Sequence, residues 1–119
     1  MNWYEFNQNN SGGHFVVTST ICNRLFIEAS DFDEAVEKAE SLGCYWNGVL
    51  KGLDCPCCGD RWDRYNYGSI DLSKYNGDIK NYAQCLADEY GWTSPDGRIF
   101  YADGSIEEVY SKKDISYLP

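Results

Sequence analysis

Three cysteines lie close together near the middle of the chain, in the run DCPCCG at residues 54–59. Cys55 and Cys58 are three positions apart, and two thiolates at this spacing can face one metal ion if the backbone between them turns tightly. Pro56 fixes φ inside such a turn, and Gly59 can adopt the left-handed conformation that points backbone N–H groups at the sulfurs. The pattern is typical of a zinc knuckle, which is one half of a structural zinc site.

A zinc site at Cys55 and Cys58 needs two further ligands, because structural zinc has four and the chain has no second C-x-x-C pair. Cys44 lies eleven residues upstream of Cys55 and could return to it through a short loop. Cys57 is adjacent to Cys58, and successive side chains diverge, so Cys57 is a poor third ligand. We predict structural zinc at Cys55 and Cys58, with Cys44 and Cys57 as candidates for the remaining positions. The alternative is a tight turn with buried thiols and no metal.

Three residues of different chemistry, Asp60, Arg61 and Trp62, directly follow this run. Arg61 could bind an anion through two hydrogen bonds, and Trp62 could stack on a nucleobase. In the alternative interpretation Asp60 and Arg61 hydrogen-bond to the cysteine segment, and Trp62 is buried against a sheet. The sequence favours neither.

A polar, glycine-rich segment near the N-terminus is a second candidate for ligand binding. It comprises Asn9, Asn10, Ser11, Gly12 and Gly13. Its backbone N–H groups could bind a phosphate or a nucleotide. It lacks both the lysine of a P-loop and the G-x-G-x-x-G spacing, so a plain connection between two strands is the favoured alternative.

No combination of residues predicts catalysis. His14 is the single histidine and has no evident Ser or Cys partner for a nucleophilic triad. Carboxylates are abundant, but no spacing singles out a catalytic pair. A small nucleotide hydrolase is therefore the least favoured function.

Two further groups of residues have both a structural and a functional interpretation. The acidic residues of the first predicted helix form either a solvated face or a surface that mimics the charge of nucleic acid; they are Asp33, Glu34, Glu37 and Glu40. Four aromatic residues either line a pocket or fill the core; they are Trp46, Tyr65, Tyr67 and Tyr75.

Local patterns predict an α+β fold: a small antiparallel sheet with two helices and the cysteine loop, in a single domain over residues 1–119. We expect a strand at residues 3–6 and a hairpin formed by residues 14–20 and 24–29. Asp31 is the predicted cap of a helix that ends at Gly43, and residues 78–90 form a second helix that ends at Gly91. Asp103-Gly104 is the turn of a C-terminal hairpin.

The composition restricts the choice of partners. Ten Lys and Arg residues stand against 19 Asp and Glu residues, for a formal net charge of −9. This charge disfavours binding to nucleic acid or to anionic membranes, and it favours basic protein surfaces or small ligands. The sequence has no apolar run of membrane-spanning length and no evident signal peptide. We expect a cytoplasmic protein whose cysteines are ligands or buried thiols rather than disulfides.

Three stretches resemble a family of small uncharacterised proteins encoded by tailed bacteriophages. These are NQNNSGG at residues 7–13, RLFIEA at residues 24–29 with the helix that follows, and the long motif WNGVxxGxDCPCCGDRW at residues 46–62. The resemblance covers residues 3–62 and implies a protein made in the cytoplasm of an infected bacterium. It would place Trp46 and Asn47 in one unit with the Asn/Gly segment, the cysteines and residues 60–62.

The function predicted from these observations is a non-catalytic accessory protein that inhibits or sequesters a host factor, either a protein or a nucleotide-like immune signal. Ligand contacts would come from the Asn/Gly segment, Trp46, Asn47 and the Asp60-Arg61-Trp62 corner. The alternative is an acidic mimic of nucleic acid that blocks a host protein. We expect neither direct nucleic-acid binding nor membrane binding.

Overall fold

The computed structural model describes residues 1–90 and 95–111. In these residues four strands form one sheet, and two helices pack on it. The strands are β1 (Asn2–Asn7), β2 (Arg24–Ala29), β3 (Gly97–Phe100) and β4 (Ile106–Val109), and the helices are α1 (Phe32–Leu42) and α2 (Ile79–Tyr90). Short 3-10 turns occupy Ser11–Gly13 and Ser73–Tyr75. The described helices are all too short or too polar to cross a lipid bilayer.

The predicted α+β class is confirmed, and the sheet is mixed. The strand order is β1-β2-β3-β4, with antiparallel pairing of β1 with β2 and of β3 with β4. The central pair, β2 and β3, is parallel, in contrast to the predicted all-antiparallel sheet. A parallel pair needs a long crossover, and here the chain between β2 and β3 includes both helices.

The predicted hairpin of residues 14–20 with residues 24–29 is wrong. Residues 14–20 form no strand, and the antiparallel partner of β2 is β1. Gln8, just after β1, explains the difference: its side-chain oxygen accepts from the Val16 N–H at 2.6 Å, and its amide donates to the Val16 carbonyl at 3.0 Å. This side chain takes the place of a strand partner, so the segment follows the surface as a loop.

Both predicted helices are confirmed. The Asp31 carboxylate caps α1 by accepting from the Glu34 N–H at 2.8 Å, and Gly43 ends the helix with φ +122°. α2 begins at Ile79, one residue after the predicted start. The predicted stop at Gly91 lies outside the described residues. The predicted hairpin around Gly104 is present as β3 and β4.

Residues of β2 alternate between two hydrophobic clusters, because successive side chains point to opposite faces of a sheet. Leu25 and Ile27 pack with α1 in a first core that also contains Cys22, Cys44, Trp46 and Trp62. Phe26 packs with α2 in a second core. One helix therefore covers each face of the sheet, and the first core also takes in residues on either side of the clustered cysteines, Cys44, Trp46 and Trp62.

Candidate functional site

A buried arginine joins the two segments that the sequence singled out. Nη1 of Arg61 donates to the Gln8 side-chain oxygen at 2.8 Å and to the His14 carbonyl at 2.9 Å, and Nη2 donates to the Ser11 carbonyl at 2.6 Å. Charge-assisted bonds of this kind are stronger than neutral ones. Arg61 therefore fastens the Asn/Gly segment to the chain that follows the cysteines.

Asp54 lies at the other side of this guanidinium and is also buried. Its carboxylate accepts from the Arg61 backbone N–H at 2.8 Å and from the Tyr45 hydroxyl at 2.6 Å. Gly48 packs directly on it: a Cβ atom at Gly48 would lie 1.8 Å from Asp54 Oδ2. The loop between residues 45 and 61 is thus closed by hydrogen bonds from both of its ends to one buried carboxylate.

Further hydrogen bonds link the two segments. The Asn9 side chain donates to the Cys58 carbonyl at 2.7 Å and to the Asp60 carbonyl at 3.2 Å. The Ser11 hydroxyl accepts from the Cys55 N–H at 2.9 Å. We call residues 8–14 and 44–62 together the two-loop unit. It brings together the Asn/Gly segment, the clustered cysteines and residues 60–62, which the resemblance had placed in one unit.

Within the unit, the structure follows the second interpretation of Arg61 and Trp62. Trp62 is only 2% exposed and lies in the first core, as does Trp46, whose ring centroid is 6.0 Å from that of Phe6. Neither indole is available to stack on a nucleobase. Asp60 accepts from the Val49 N–H at 2.9 Å, as an interaction within the loop. The apolar ring of Trp62 contributes more to the stability of the fold when it is buried than it would at the surface.

The Asn/Gly segment forms a closed turn. The Ser11 N–H donates to the Asn9 carbonyl and the Gly13 N–H to the Asn10 carbonyl, both at 2.8 Å. The Ser11 carbonyl points at Arg61. These bonds match the favoured alternative, a plain connection, better than a phosphate-binding loop. Asn10, Gly12 and Gly13 are exposed, and so is Asn47, at φ +56°.

The four predicted metal ligands lie in two different environments. Cys57 and Cys58 are exposed and Cys55 is half-buried, whereas Cys44 lies in the first core, where burial raises the pKa of its thiol to about 12. The turn is closed by the N–H groups of Cys58 and Gly59, which donate to the Cys55 carbonyl at 3.2 and 3.0 Å. In the part of the chain that the structure describes, no three His, Cys, Asp or Glu side chains are placed to share a metal ion.

The Cys55 thiol has the electrostatic environment of a ligand. Its pKa lies below the ordinary value, first because the Cys58 backbone N–H donates to the sulfur, and then through the Cys58 thiol and the Cys57 N–H. Such N–H groups stabilise a thiolate, which is the form that binds metals. Cys55 and Cys58 therefore fit one half of a thiolate site, while Cys44 does not fit the other half.

Sequence reasoning missed three residues that organise this unit. Gln8 and Tyr45 each supply a buried hydrogen bond, and Gly48 leaves the space that the Asp54 carboxylate fills. Gln8 falls within the stretch at residues 7–13, but neither its residue type nor that of Tyr45 reveals a buried hydrogen-bond partner. Gly48 has an ordinary negative φ, so it is required by the close approach of Asp54 and not by a turn.

Comparisons with known proteins give a family and little beyond it. No solved structure matches the chain. The cytochrome b6-f complex iron-sulfur subunit 2 of Nostoc sp. (strain PCC 7120 / SAG 25.82 / UTEX 2576) is 36% identical over 62 residues, which cover 50% of this chain. The match spans only 34% of that protein. A family model described as a domain of unknown function, DUF7296, matches residues 1–116, and the chain therefore belongs to that family.

Proposed function

We propose that this protein is a non-catalytic binding protein that inhibits or sequesters a protein of the host cell through the outer surface of the cysteine loop. One observation carries the proposal. Leu50 and Leu53 are 88% and 62% exposed on the same turn, next to the cysteines. Large apolar side chains that are this exposed and this close together are typical of protein contact sites.

Backbone hydrogen bonds close the turn that presents these leucines. The Leu53 N–H donates to the Gly48 carbonyl at 2.8 Å, and the Gly52 N–H donates to the Val49 carbonyl at 3.1 Å. Below the turn lies the buried Asp54 carboxylate. A contact surface that is ordered before binding loses less conformational entropy in the complex, which strengthens binding.

The charge of the protein supports a basic partner. The formal net charge of −9 repels nucleic acid and attracts a protein surface rich in Lys and Arg. The likeness of residues 3–62 to tailed-phage proteins supports a partner in the cytoplasm of an infected bacterium. The proposed site is therefore an apolar pair, Leu50 and Leu53, on a protein of negative net charge.

We further propose that zinc binds at Cys55 and Cys58 and stiffens this loop. The lowered pKa of the Cys55 thiol and the exposure of the Cys58 side chain support a thiolate pair. Cys57 is exposed on the same turn, and the buried Cys44 is the weakest of the four candidates. Cysteines also hold iron–sulfur clusters, and the name of the Nostoc relative makes such a cluster the alternative to distinguish by metal analysis.

A nucleotide-like ligand is less well supported than a protein partner, because Arg61 uses its guanidinium within the molecule. The second candidate function is mimicry of nucleic acid. It is favoured by α1, whose Asp33, Glu37 and Glu40 side chains are all exposed. Binding by such a face should weaken steeply as salt rises, whereas an apolar contact should be less sensitive.

The proposal is tested with a double variant, Leu50→Ser/Leu53→Ser, and with Ile106→Ser as the control at an exposed apolar residue of β4. A partner is first identified by affinity purification from bacterial cells, and its binding to each purified variant is then measured by calorimetry. We expect the double variant to bind at least about tenfold more weakly, a loss of about 1.4 kcal/mol, and the control to bind normally. Equal binding by all three proteins, or turnover of a nucleotide by the wild type, would contradict the proposal.

A further inference from the structure

A small cavity of about 260 Å³ opens beside the two-loop unit, at the outer edge of β1. Its lining residues are two acidic residues, three aromatic residues and one asparagine: Glu5, Phe6, Asn7, Asp63, Tyr65 and Tyr67. This volume lies just below the range of drug-sized ligand pockets, so it suits one side chain better than a nucleotide. Asn7 and Asp63 directly adjoin the two-loop unit in sequence.

The aromatic wall is a pair of tyrosines that are not part of either core. The ring centroids of Tyr65 and Tyr67 lie 4.7 Å apart with the planes tilted by 51°, and the residues are 69% and 78% exposed. Two large rings packed on each other outside a core offer their faces to a ligand. The face of an aromatic ring is negative and attracts cations, most often the guanidinium of arginine.

The acidic wall is held in place by hydrogen bonds to the protein. A carboxylate oxygen of Glu5 accepts from the Tyr82 hydroxyl at 2.7 Å, and one of Asp63 accepts from the Tyr65 N–H at 2.9 Å. Both residues line the cavity together with the tyrosines. Carboxylates beside aromatic rings suit a guanidinium, which is a planar cation. The carboxylate accepts hydrogen bonds from the N–H groups at the edge of the guanidinium, and the ring stacks on its face.

We propose that this cavity binds an arginine side chain of a partner protein. The inference rests on the proposed function for the existence of a partner, and it goes further by naming the chemistry that the partner presents. An arginine is favoured over a free polyamine because the cavity has room for one cationic group, whereas a polyamine gains affinity from several separated carboxylates.

The test uses short peptides, so it does not depend on identifying the partner. The probes are acetyl-Gly-Arg-Gly-amide, the same peptide with neutral citrulline in place of arginine, and spermidine, each titrated into ¹⁵N-labelled protein. We expect the arginine peptide to shift the amide signals of residues 63–67 saturably and the citrulline peptide to leave them unchanged. Equal shifts with citrulline, or tighter binding of spermidine at the same signals, would overturn the proposal.

Matched variants separate a local site from the overall charge. Glu5→Gln/Asp63→Asn and Asp33→Asn/Glu37→Gln each remove two negative charges, but only the first pair lines the cavity. The first should weaken binding of the arginine peptide at least about tenfold, and the second should weaken it less than about twofold. If both double variants weaken peptide binding equally, the peptide is attracted by net charge alone, and the proposed arginine site is wrong. Tyr67 is exposed, so we expect Tyr67→Ala to fold normally and to bind the arginine peptide more weakly. Unchanged affinity would contradict the aromatic contact.

The same titration distinguishes this inference from the proposed function. Leu50→Ser/Leu53→Ser changes neither wall of the cavity, so it should bind the arginine peptide as the wild type does. If that variant binds both the peptide and the partner protein normally, the leucines are not the contact surface, and the proposed arginine site stands. Loss of peptide binding in that variant would reject a separate cavity site.

Discussion

The Nε atom of Arg61 lies 3.8 Å from Oδ1 of Asp54, and the two side chains are only 8% and 0% exposed. The backbone N–H of Arg61 also donates to the other carboxylate oxygen, Oδ2. The residues are seven positions apart, so the pair closes the turn that contains all three clustered cysteines. A buried pair of this kind repays its desolvation only when hydrogen bonds satisfy its remaining atoms, and Tyr45, Gln8 and two carbonyls do so here.

Loss of the arginine should therefore unfold this corner. Arg61→Met leaves the Asp54 carboxylate without its cation, and we expect the free energy of unfolding to fall by about 3–5 kcal/mol. Urea titration followed by tryptophan fluorescence measures the change. Arg64→Met, at an exposed arginine three residues away, is the matched control and should stay within about 0.5 kcal/mol of the wild type. Similar losses in both variants would mean that the buried pair has no special role.

Gly48 should not tolerate a methyl group. A Cβ atom there would lie 1.8 Å from Asp54 Oδ2 and 2.8 Å from a ring carbon of Tyr45, and the Asp54 carboxylate cannot move without losing its buried hydrogen bonds. Gly48→Ala should destabilise the protein by about 3 kcal/mol, the upper end of the cost of overpacking.

Gly52, in the same loop, is the control for this substitution. It has open space around it and φ +73°, a conformation that asparagine tolerates. Gly52→Asn should lower the unfolding free energy by no more than about 1 kcal/mol, measured in the same urea titration. A mild effect of Gly48→Ala would mean that Asp54 has room to move.

Stability should fall at alkaline pH through the buried thiols. Burial raises the pKa of Cys44 from an ordinary 9.0 to about 12 and that of Cys22 to about 11. Above pH 9 the unfolded chain loses these protons while the folded chain keeps them, so folding becomes less favourable as the pH rises.

Cys44→Ala isolates one of these contributions. Between pH 8 and pH 10 its unfolding free energy should decline by about 1.4 kcal/mol less than that of the wild type. Urea titrations at both pH values, under reducing conditions, measure this difference. Cys85→Ala, at an exposed thiol of α2, should decline like the wild type. A parallel decline of Cys44→Ala and wild type would rule out the Cys44 thiol as a source of the pH dependence.

The proposed zinc should depend on the outer cysteines of the knuckle. Cys55→Ser and Cys58→Ser should each lose zinc from the purified protein, whereas Cys85→Ser should retain it. Since zinc contributes on the order of 10 kcal/mol in small structural sites, a chelator should lower the melting temperature of the wild type but not of the two knuckle variants. Elemental analysis and thermal melts provide both readings. Zinc-free wild-type protein would contradict the proposal, and iron with visible absorbance would indicate a cluster instead.

The sequence by itself determined the elements that depend on neighbouring residues. Asp31 caps α1 through a bond to a residue three positions away, Gly43 ends it, and the Asp103-Gly104 turn joins β3 to β4. Each of these interactions spans a few residues, so its signal lies within a short window of sequence. The negative net charge and the close spacing of the cysteines likewise follow directly from the sequence.

Only the tertiary structure decided how the candidate site is built. Arg61 and its acceptor Gln8 are 53 residues apart, and β2 and β3 form a parallel pair only after the chain has passed through both helices. No local pattern specifies such partners, because the residues next to an arginine in sequence do not show whether its side chain faces solvent or a buried carbonyl. The physical reason is burial: Arg61 is only 7% exposed, and a buried charge must be paired and hydrogen-bonded within the protein.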